Sequence, residues 1–561
     1  MTPVTKRRKR KAPKAAPDAP GTIERSDTSA DRTYRRACRL AAAGQAERAQ
    51  ALYQELLGSG GLESRLAALI ENDLGALAGA AGDFEEGIGR FRAALALDPD
   101  LEASRSNLRF CEEQAIKPLP ADEPDVPLQP LEPSPERGRA TRIAIIGSLF
   151  NWPSSGGGSM HTVGVGRSLI EAGYEVRHFY ARHEARGIGR VEGEPPLPGE
   201  ALLFDDAAWN AEAIRSRFRE AVEPFAPDYV IVTDSWNLKP HLALAVKGYR
   251  YLLRFDGQEC LCPLNNCRFL PGPGGGFTHC ARHQLATPEE CRRCVLERGG
   301  QTGQLHRDDR ELAGVGTEAY QEVLREALAE AEAVLVNNPL IEAMVSPYAS
   351  RVCVVPPGVA PGRFPSGTAR EKAVGERLVV FMAGVVEEPF KGFDTLHQAC
   401  AMLWQKRRDF ELVVTGRQAG RVDEFTQSVG WLSQDDLPGH YRAADICVVP
   451  SWVQEAWAIV ATEAMAAGRP VLASRVGGLQ FQVVEGATGF LVEPGNAAEL
   501  ADRIEYLLDH PDLRRRMGLA ARERFQKEYA WPVIIERHYR PLFGDAMASE
   551  AESLRAGEVS R

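Results

Sequence analysis

The sequence predicts an α/β protein with two doubly wound, Rossmann-like domains, preceded by a small all-α region. From Arg142 onward, short apolar segments alternate with helical segments, and the apolar segments fall into two series. This alternation is typical of parallel sheets that carry helices on both faces. Before Gln114, small and apolar residues recur at helical spacing instead, which predicts the all-α region.

The two series of apolar segments predict five strands in each α/β domain. A Pro-Pro-Gly-Val segment at 356–359 separates the series. The predicted strands are 143–146, 176–180, 229–233, 251–255 and 333–336, followed by 378–383, 412–415, 446–449, 471–473 and 490–492. We therefore expect a first domain over 141–357, a second over 358–525, a final helix over 526–545 and a disordered tail over 546–561.

The chain before the first predicted strand contains three stretches of different composition. Residues 1–30 are basic and then rich in Ala, Pro, Ser and Asp, which predicts a disordered tail. Seven prolines between Pro118 and Pro135 predict an extended linker over 117–140. Between these stretches, residues 31–116 contain two helical units in one register, each with an aromatic residue midway (Tyr53 and Phe91).

The two helical units resemble tetratricopeptide repeats (TPRs). Each repeat needs neighbours to bury its apolar face, so two repeats make a short array. Two interpretations stay open. The region is either a helical bundle that only caps the rest of the chain or a surface that recruits a protein partner.

Composition and charge limit the function classes. The chain has 561 residues, 44% of them hydrophobic, and a net charge of −10, so no specific nucleic-acid partner is expected. No apolar run has the length of a membrane span. The basic start, Met1 to Lys14, has no apolar core behind it, which argues against a secretory signal. We expect a cytoplasmic protein, with peripheral association at the inner face of a membrane as a further option.

The segment from Asp445 to Pro494 carries the most specific pattern. An apolar strand ends in a turn, and we predict a helix that begins near Ala456, with Glu455 at its entrance. Glu463 then lies about 12 Å further along that helix. Ligands bind at the carboxyl ends of parallel strands, and the amino end of a helix favours an anion such as a diphosphate.

This segment resembles the donor-binding signature of family 4 of the GT-B glycosyltransferases (glycosyl transferases group 1). The residues that match are Glu455, Glu463, Ala464, Met465, Ala466, Gly468, Pro470, Val471, Gly477, Gly478, Gly486 and Gly489. The resemblance covers roughly Arg142 to Phe543. It implies an enzyme, a retaining glycosyltransferase that takes sugar from a nucleoside-diphosphate sugar without a catalytic metal. It also implies that the helix at 526–545 crosses back to the first domain.

The resemblance assigns roles to individual residues. Glu455 is expected to face the donor sugar, Glu463 to hold the ribose, and Lys391 to neutralise the diphosphate, with Glu455 and Lys391 as catalytic residues. The chain departs from the family where Val385 replaces an arginine and where Ala456-Trp457-Ala458 replace Gly-Phe-Gly. The further expected donor-binding residues are Gly157 and Gly158 of the glycine loop, Arg417 as a substitute for the missing arginine, Trp431 near the base, Ala456 and Trp457.

The acceptor side is less defined. Relatives carry a sugar-contacting histidine after the fifth strand, and this chain has none there. Arg254, Asp256, Glu259 and His161 are the alternatives. The expected acceptor is a hydroxyl of a saccharide, a lipid-linked glycan or a protein. Two other functions remain open: a sugar-nucleotide epimerase or phosphorylase of the same fold, and a catalytically decayed TPR adaptor.

Six cysteines lie between Cys260 and Cys294, and we predict a Cys-rich insertion over 260–294. Such crowding favours metal over disulfides in a reducing compartment. The Cys-x-x-Cys spacing at 291–294 is half of a zinc knuckle. We predict a structural zinc ion held by Cys262, Cys280, Cys291 and Cys294, with Cys260, Cys267, His279 and His283 as substitutes. Free thiols or disulfides are the alternatives.

Overall fold

The computed structural model describes residues 29–42, 45–59, 61–81, 83–101, 103–105, 107–108, 111, 140–154, 156–271, 277–364 and 375–544. The chain divides into two compact units, 1–120 and 121–561. The predicted tails, 1–30 and 546–561, and the linker, 117–140, lie almost wholly outside the described residues.

The first unit is helical, as predicted. It contains α1 (Ser29–Ala42), α2 (Ala46–Gly58), α3 (Ser64–Ala81) and α4 (Phe84–Leu97), with further helical residues between 103 and 111. Tyr53 and Phe91 are buried in its core. A Cβ on Gly75 would lie 2.8 Å from Cε1 of Phe91, so α3 and α4 need a glycine at this contact. The assignment to TPRs stays a prediction.

The second unit contains two seven-stranded sheets and one hairpin. The strands are β1 Arg142–Gly147, β2 Glu175–Arg182, β3 Gly199–Leu203, β4 Tyr229–Val232, β5 Arg250–Arg254, β6 Phe269–Pro271, β7 Phe277–His279, β8 Ala333–Val336, β9 Val352–Val354, β10 Leu378–Met382, β11 Phe410–Val414, β12 Ala419–Arg421, β13 Thr426–Val429, β14 Ile446–Val449, β15 Val471–Ser474 and β16 Gly489–Val492. All ten predicted strands are present.

Helices connect these strands. They are α5 Gly157–Glu171, α6 Ala211–Val222, α7 Lys239–Ala245, α8 Pro288–Arg298, α9 Gln304–Ala313, α10 Glu318–Ala329, α11 Pro339–Val345, α12 Phe393–Trp404, α13 Leu437–Ala443, α14 Ile459–Ala466, α15 Leu479–Gln482, α16 Ala497–Asp509, α17 Pro511–Arg524, α18 Trp531–Ile534 and α19 Arg540–Leu542.

The strand orders confirm the doubly wound α/β fold. The first sheet is β3-β2-β1-β4-β5-β8-β9, and every pairing in it is parallel. The second is β12-β13-β11-β10-β14-β15-β16, parallel except for the edge strand β12. The order reverses between β1 and β4 in the first sheet and between β10 and β14 in the second. Ligand crevices form at such switch points, outside the carboxyl ends of the strands.

Two chain segments pass each other between the sheets. The backbone N–H of Val359 donates to Tyr529, and the N–H of Trp531 donates back to Val359. Beyond this crossing, Ile534, Tyr539 and other apolar residues join the core of the first sheet. The C-terminal helices therefore pack on the first sheet after leaving the second.

Candidate active site

The loop after β14 carries Glu455, and its conformation differs from the prediction. The helix was expected near Ala456, but α14 begins at Ile459, so Glu455 lies four residues before it. The backbone carbonyl of Glu455 accepts from Gly478, and the carbonyl of Ala456 accepts from the side chain of Asn338. These carbonyls are bound outside the helix, which explains its late start. The predicted separation of about 12 Å assumed that Glu455 and Glu463 lie on one helix. That assumption was wrong, because Glu455 lies before the helix begins.

Lys391 and Glu455 form an ion pair at the switch point of the second sheet. The loops after β10 and β14 bring Lys391 Nζ to 2.8 Å from Glu455 Oε1, and Ser451 Oγ donates to the same oxygen at 2.7 Å. The Lys391 side chain keeps 32% exposure. Burial lowers the pKa of Lys391, but Glu455, together with smaller contributions from Glu388 and Cys267, raises this pKa by more in total, so it lies above the usual value. The ammonium is charged and accessible to an anion.

Glycines allow the backbone to fold closely around this pair. Gly392, directly after Lys391, has φ +80°, and a Cβ there would lie 1.9 Å from the carbonyl oxygen of Pro450. Gly477 has φ +46°, and its Cβ would lie 2.2 Å from the carbonyl oxygen of Glu455. A side chain at either position would displace one of the two loops.

Glu463 is buried on α14 and is held by two side chains that the sequence did not suggest. Arg363 Nη1 lies 3.2 Å from one carboxylate oxygen, and the Tyr441 hydroxyl donates to the other at 3.1 Å. Burial raises the pKa of Glu463, and Arg363 and Tyr441 offset part of that rise.

The remaining predicted residues of the second domain occupy different surroundings. Ala456 is buried, whereas the half-buried Trp457 donates its ring N–H to Thr462 and contacts the Tyr529 ring edge-on. Arg417 is exposed, and its backbone N–H donates to Glu387. Trp431 is 53% exposed. A site that includes Arg417 and Trp431 is open to solvent on that side.

The first domain contributes the glycine loop, which forms the first turn of α5. A Cβ on Gly157 would lie 3.6 Å from Cδ1 of Ile459, so this turn approaches the start of α14. A Cβ on Gly158 would lie 2.8 Å from Oδ1 of Asp234, and Ser159 Oγ donates to the other oxygen of Asp234 at 2.6 Å. Asp234 follows β4 at the first switch point, and the sequence analysis missed it.

Asp256 organises a buried network at the same edge of the first sheet. Its carboxylate lies 3.1 Å from His161 Nδ1 and 3.5 Å from Arg254 Nε. Burial raises the pKa of Asp256, but His161, Lys239 and Arg254 lower it by more. The net pKa therefore lies below the usual value, and the carboxylate stays ionised. Lys239 contacts Glu259 at 2.8 Å. The four acceptor-side alternatives therefore lie in one network, in which Arg254 and His161 are buried.

Three of the four predicted zinc ligands belong to one apolar cluster of the Cys-rich insertion. Cys262, Cys280 and Cys294 pack around Leu264 and Leu270. Burial raises the pKa of the Cys262 thiol to about 12, with smaller contributions from Cys280 and Cys291. Across the described ranges, no group of three or more His, Cys, Asp or Glu side chains is arranged to hold a metal ion. The zinc prediction therefore lacks geometric support.

One of the missed contact residues did have a sequence signal. Asn338 stands before Pro339 at the start of α11, which is a typical helix-capping pattern. Arg363 and Tyr441 reach Glu463 from segments 100 and 22 residues away. Gln258, whose side chain donates to the backbone carbonyl of Gln454, is 196 residues away from that partner. No local pattern indicates such contacts.

Comparison with known proteins gives matches to the second α/β domain. Residues 368–524 match the family model described as Glycosyl transferases group 1. A D-inositol 3-phosphate glycosyltransferase of Corynebacterium diphtheriae is 33% identical over 220 residues, which are 35% of this chain and 51% of that protein. The Streptomyces coelicolor protein of the same name is 32% identical over 274 residues, 44% of this chain and 56% of that protein. The chain thus spans about half the length of these relatives.

Solved structures match the fold over a wider range. The alignment with the sucrose-phosphate synthase of Thermosynechococcus elongatus covers 72% of this chain and 100% of the synthase chain, with a TM-score of 0.51 and 23% identity. The alignment with a glycosyltransferase from Rickettsia africae covers 73% of this chain and 100% of that protein's chain, with a TM-score of 0.51 and 16% identity. The second unit therefore has the GT-B fold. Within the described ranges, no helix combines the length and apolarity needed to cross a bilayer.

Proposed function

We propose that the chain is a retaining glycosyltransferase that moves a sugar from a nucleoside-diphosphate sugar to an acceptor hydroxyl. The observation that carries the proposal is the Lys391–Glu455 ion pair, 2.8 Å long, at the switch point of a domain that matches the group 1 glycosyltransferase model. The pair consists of one partly exposed cation and one carboxylate, at the edge of the sheet where the strand order predicts a ligand.

We assign distinct roles to the two partners. Lys391 neutralises charge on the diphosphate as it leaves, which a fixed cation can do without a metal ion. Glu455 releases the ammonium to the diphosphate and accepts hydrogen bonds from the donor sugar. Glu463, held by Arg363 and Tyr441, presents a carboxylate to the ribose. Gly157 and Gly158 let the first domain approach the donor, and closure of the domains excludes water, which favours transfer over hydrolysis.

The acceptor side is assigned to the edge of the first sheet. Asp234 and the Asp256 network face the glycine turn and offer carboxylates to a polyhydroxylated acceptor. The curated relatives are named for D-inositol 3-phosphate, which makes an inositol phosphate a reasonable first acceptor to assay. Saccharides, lipid-linked glycans and proteins remain in the acceptor panel.

A screen of donors and acceptors tests the proposal. Thermal shifts are measured with UDP, GDP, ADP and their common sugar conjugates, and transfer is then assayed with the donor that shifts the midpoint most. We expect one nucleotide family to stabilise the protein and its sugar conjugate to be consumed. Binding without transfer or hydrolysis would favour the adaptor, and conversion of the nucleotide sugar without an acceptor into an epimer would favour the epimerase.

We also keep a structural zinc ion at Cys262, Cys280, Cys291 and Cys294 as a separate proposal. Its support is the cysteine spacing, together with the apolar cluster that Cys262, Cys280 and Cys294 share. Metal analysis of the purified protein tests it, with one zinc per chain expected. Metal-free, folded protein with freely titratable thiols would refute it.

A further inference from the structure

Three consecutive carbonyl groups around Glu455 each accept a hydrogen bond from outside the loop. The carbonyl of Gln454 accepts from Gln258 Nε2 at 2.7 Å. The carbonyl of Glu455 accepts from the backbone N–H of Gly478 at 2.6 Å. The carbonyl of Ala456 accepts from Asn338 Nδ2 at 2.8 Å. Gly478 belongs to the same domain as the loop, whereas Gln258 and Asn338 belong to the first domain.

The orientation of the Asn338 amide is fixed by its own helix. Asn338 is 1% exposed and caps α11, where its Oδ1 accepts from the backbone N–H groups of Leu340 and Ile341. Backbone N–H groups can only donate, so the oxygen must face them and the NH₂ group must face elsewhere. The NH₂ group donates to the second domain because the helix already uses the oxygen.

Gln258 joins the loop of Glu455 to the Cys-rich insertion. Gln258 is 3% exposed, and its backbone N–H donates to Asn266 at 2.8 Å. Its carbonyl accepts from the backbone N–H of Cys262. On the other side, the side chain of Gln454 accepts from Gly477 at 2.8 Å. Gln258 therefore links a segment of the first domain to Gln454, which in turn bonds to Gly477 of the second domain.

We propose that Gln258 and Asn338 are positioning residues that clamp the loop of Glu455 when the two domains are closed. The proposal rests on the glycosyltransferase function above and goes beyond it by making the placement of Glu455 depend on closure. A buried carbonyl that loses its donor is costly, so the loop has one favoured conformation while both amides are in place. When the domains separate, both bonds break together and the carboxylate is no longer held against the donor.

Near-isosteric variants test the clamp. Gln258→Glu and Asn338→Asp each remove the NH₂ donor, and the second keeps an oxygen to cap α11. Asn210→Asp is the matched control, because Asn210 caps α6 within the first domain and also donates to a backbone carbonyl, that of Ala207. Gln258→Met and Asn338→Ser also remove the NH₂ donor, but they add no charge.

The clamp predicts a selective loss. Turnover of the best donor from the UDP, GDP and ADP sugar screen falls about tenfold in each variant, while the Kd of the nucleoside diphosphate stays within about twofold of wild type because Lys391 is untouched. Backbone amides of 451–458 exchange with deuterium faster in all four variants and at the wild-type rate in Asn210→Asp.

Two results overturn the clamp. The first is that turnover and amide exchange are unchanged in Gln258→Glu and Asn338→Asp. The second is that both quantities return to wild-type values in Gln258→Met and Asn338→Ser, which would assign the loss to the added charge. The exchange measurement needs no nucleotide, so it tests the clamp even if no nucleotide sugar binds. Failure of wild-type protein to bind any donor would instead refute the proposed function.

Discussion

At the scale of single residues, the proposed site contains one partly exposed ion pair and one buried carboxylate. Lys391 bonds to Glu455 at 2.8 Å yet keeps a third of its side chain exposed. Glu463 is almost fully buried and bound by two side chains. The first pair is therefore suited to exchange partners, whereas the second is suited to hold a fixed geometry.

Lys391→Gln should weaken nucleoside-diphosphate binding by at least about tenfold, because a charge-assisted hydrogen bond to phosphate is lost. Titration calorimetry with the nucleotide chosen by the screen measures the effect. The matched control is Lys406→Gln, at a lysine that is 67% exposed and pairs only loosely, at 3.9 Å, with Glu505. Equal binding by Lys391→Gln and wild type would remove Lys391 from the donor site.

Asp234→Asn should change the pH dependence of stability. Burial raises the pKa of Asp234 to about 7, although the Ser159 hydrogen bond and Lys239 lower it in part. The native protein thus holds this proton more tightly than the unfolded chain, and the wild type loses stability as pH rises from about 4 to about 7. Asparagine does not titrate and keeps an oxygen for Ser159.

The free-energy advantage of Asp234→Asn over wild type should therefore be larger at pH 8 than at pH 5, by ~1–3 kcal/mol. Thermal unfolding at the two pH values measures the difference. Asp205→Asn, at an exposed carboxylate that accepts from the Ala208 backbone, is the control. An equal advantage at the two pH values would show that Asp234 is ionised in the native state at both.

At the scale of elements, the helices and strands near the crevice were more predictable than the loops between them. The apolar run at 446–449 is buried on both sides, and its residue types alone indicate a strand. The loop from Pro450 to Ala458 has no such pattern, because its conformation depends on Gln258, Asn338 and Gly478, which are far away in the chain. Glu455 was thus identified from a family motif, while its backbone geometry was not.

The same reasoning explains which partners of Glu463 escaped the sequence analysis. Arg363 lies in the segment between the domains, and Tyr441 lies on α13. Only tertiary packing brings these residues to α14. The signature motif indicates the carboxylate, but it carries no information on the groups that orient it.

Gly392→Ala should disrupt the element that presents Lys391. The residue has φ +80°, and a Cβ would lie 1.9 Å from the Pro450 oxygen, so both strain and overlap oppose any side chain. We expect at least ~2 kcal/mol of destabilisation, measured by chemical unfolding. Gly439→Ala in α13 is the control, since nothing lies within 4 Å and helix propensity favours alanine. Equal stability of the two variants would show that the loop can move aside.

At the scale of the whole molecule, fold class was the most predictable property. Two series of buried strands were enough to predict two parallel sheets, because each strand's composition is set by burial within its own sheet. In the two seven-stranded sheets, β3, β9, β12 and β13 were missed, and these lie at sheet edges or next to them, where burial leaves a weaker pattern. The short strands of the separate hairpin, β6 and β7, were missed as well. The chain divides into a helical unit and an α/β unit at residue 120.

Removal of residues 1–116 should leave donor hydrolysis intact and reduce transfer to the native acceptor, if the helical unit recruits that acceptor. The expectation follows because the proposed donor residues all lie in the second compact unit. Rates of both reactions are compared between the full chain and the shortened chain. Equal transfer by both proteins would support the interpretation of the helical unit as a cap.

The most direct test of the account is a crystal structure with the nucleoside-diphosphate sugar that stabilises the protein most. We predict that a diphosphate oxygen lies about 3 Å from Lys391 Nζ, with the sugar against Glu455 and the ribose against Glu463. A donor bound elsewhere, or a crevice that stays closed by the Lys391–Glu455 pair at saturating donor, would contradict the account.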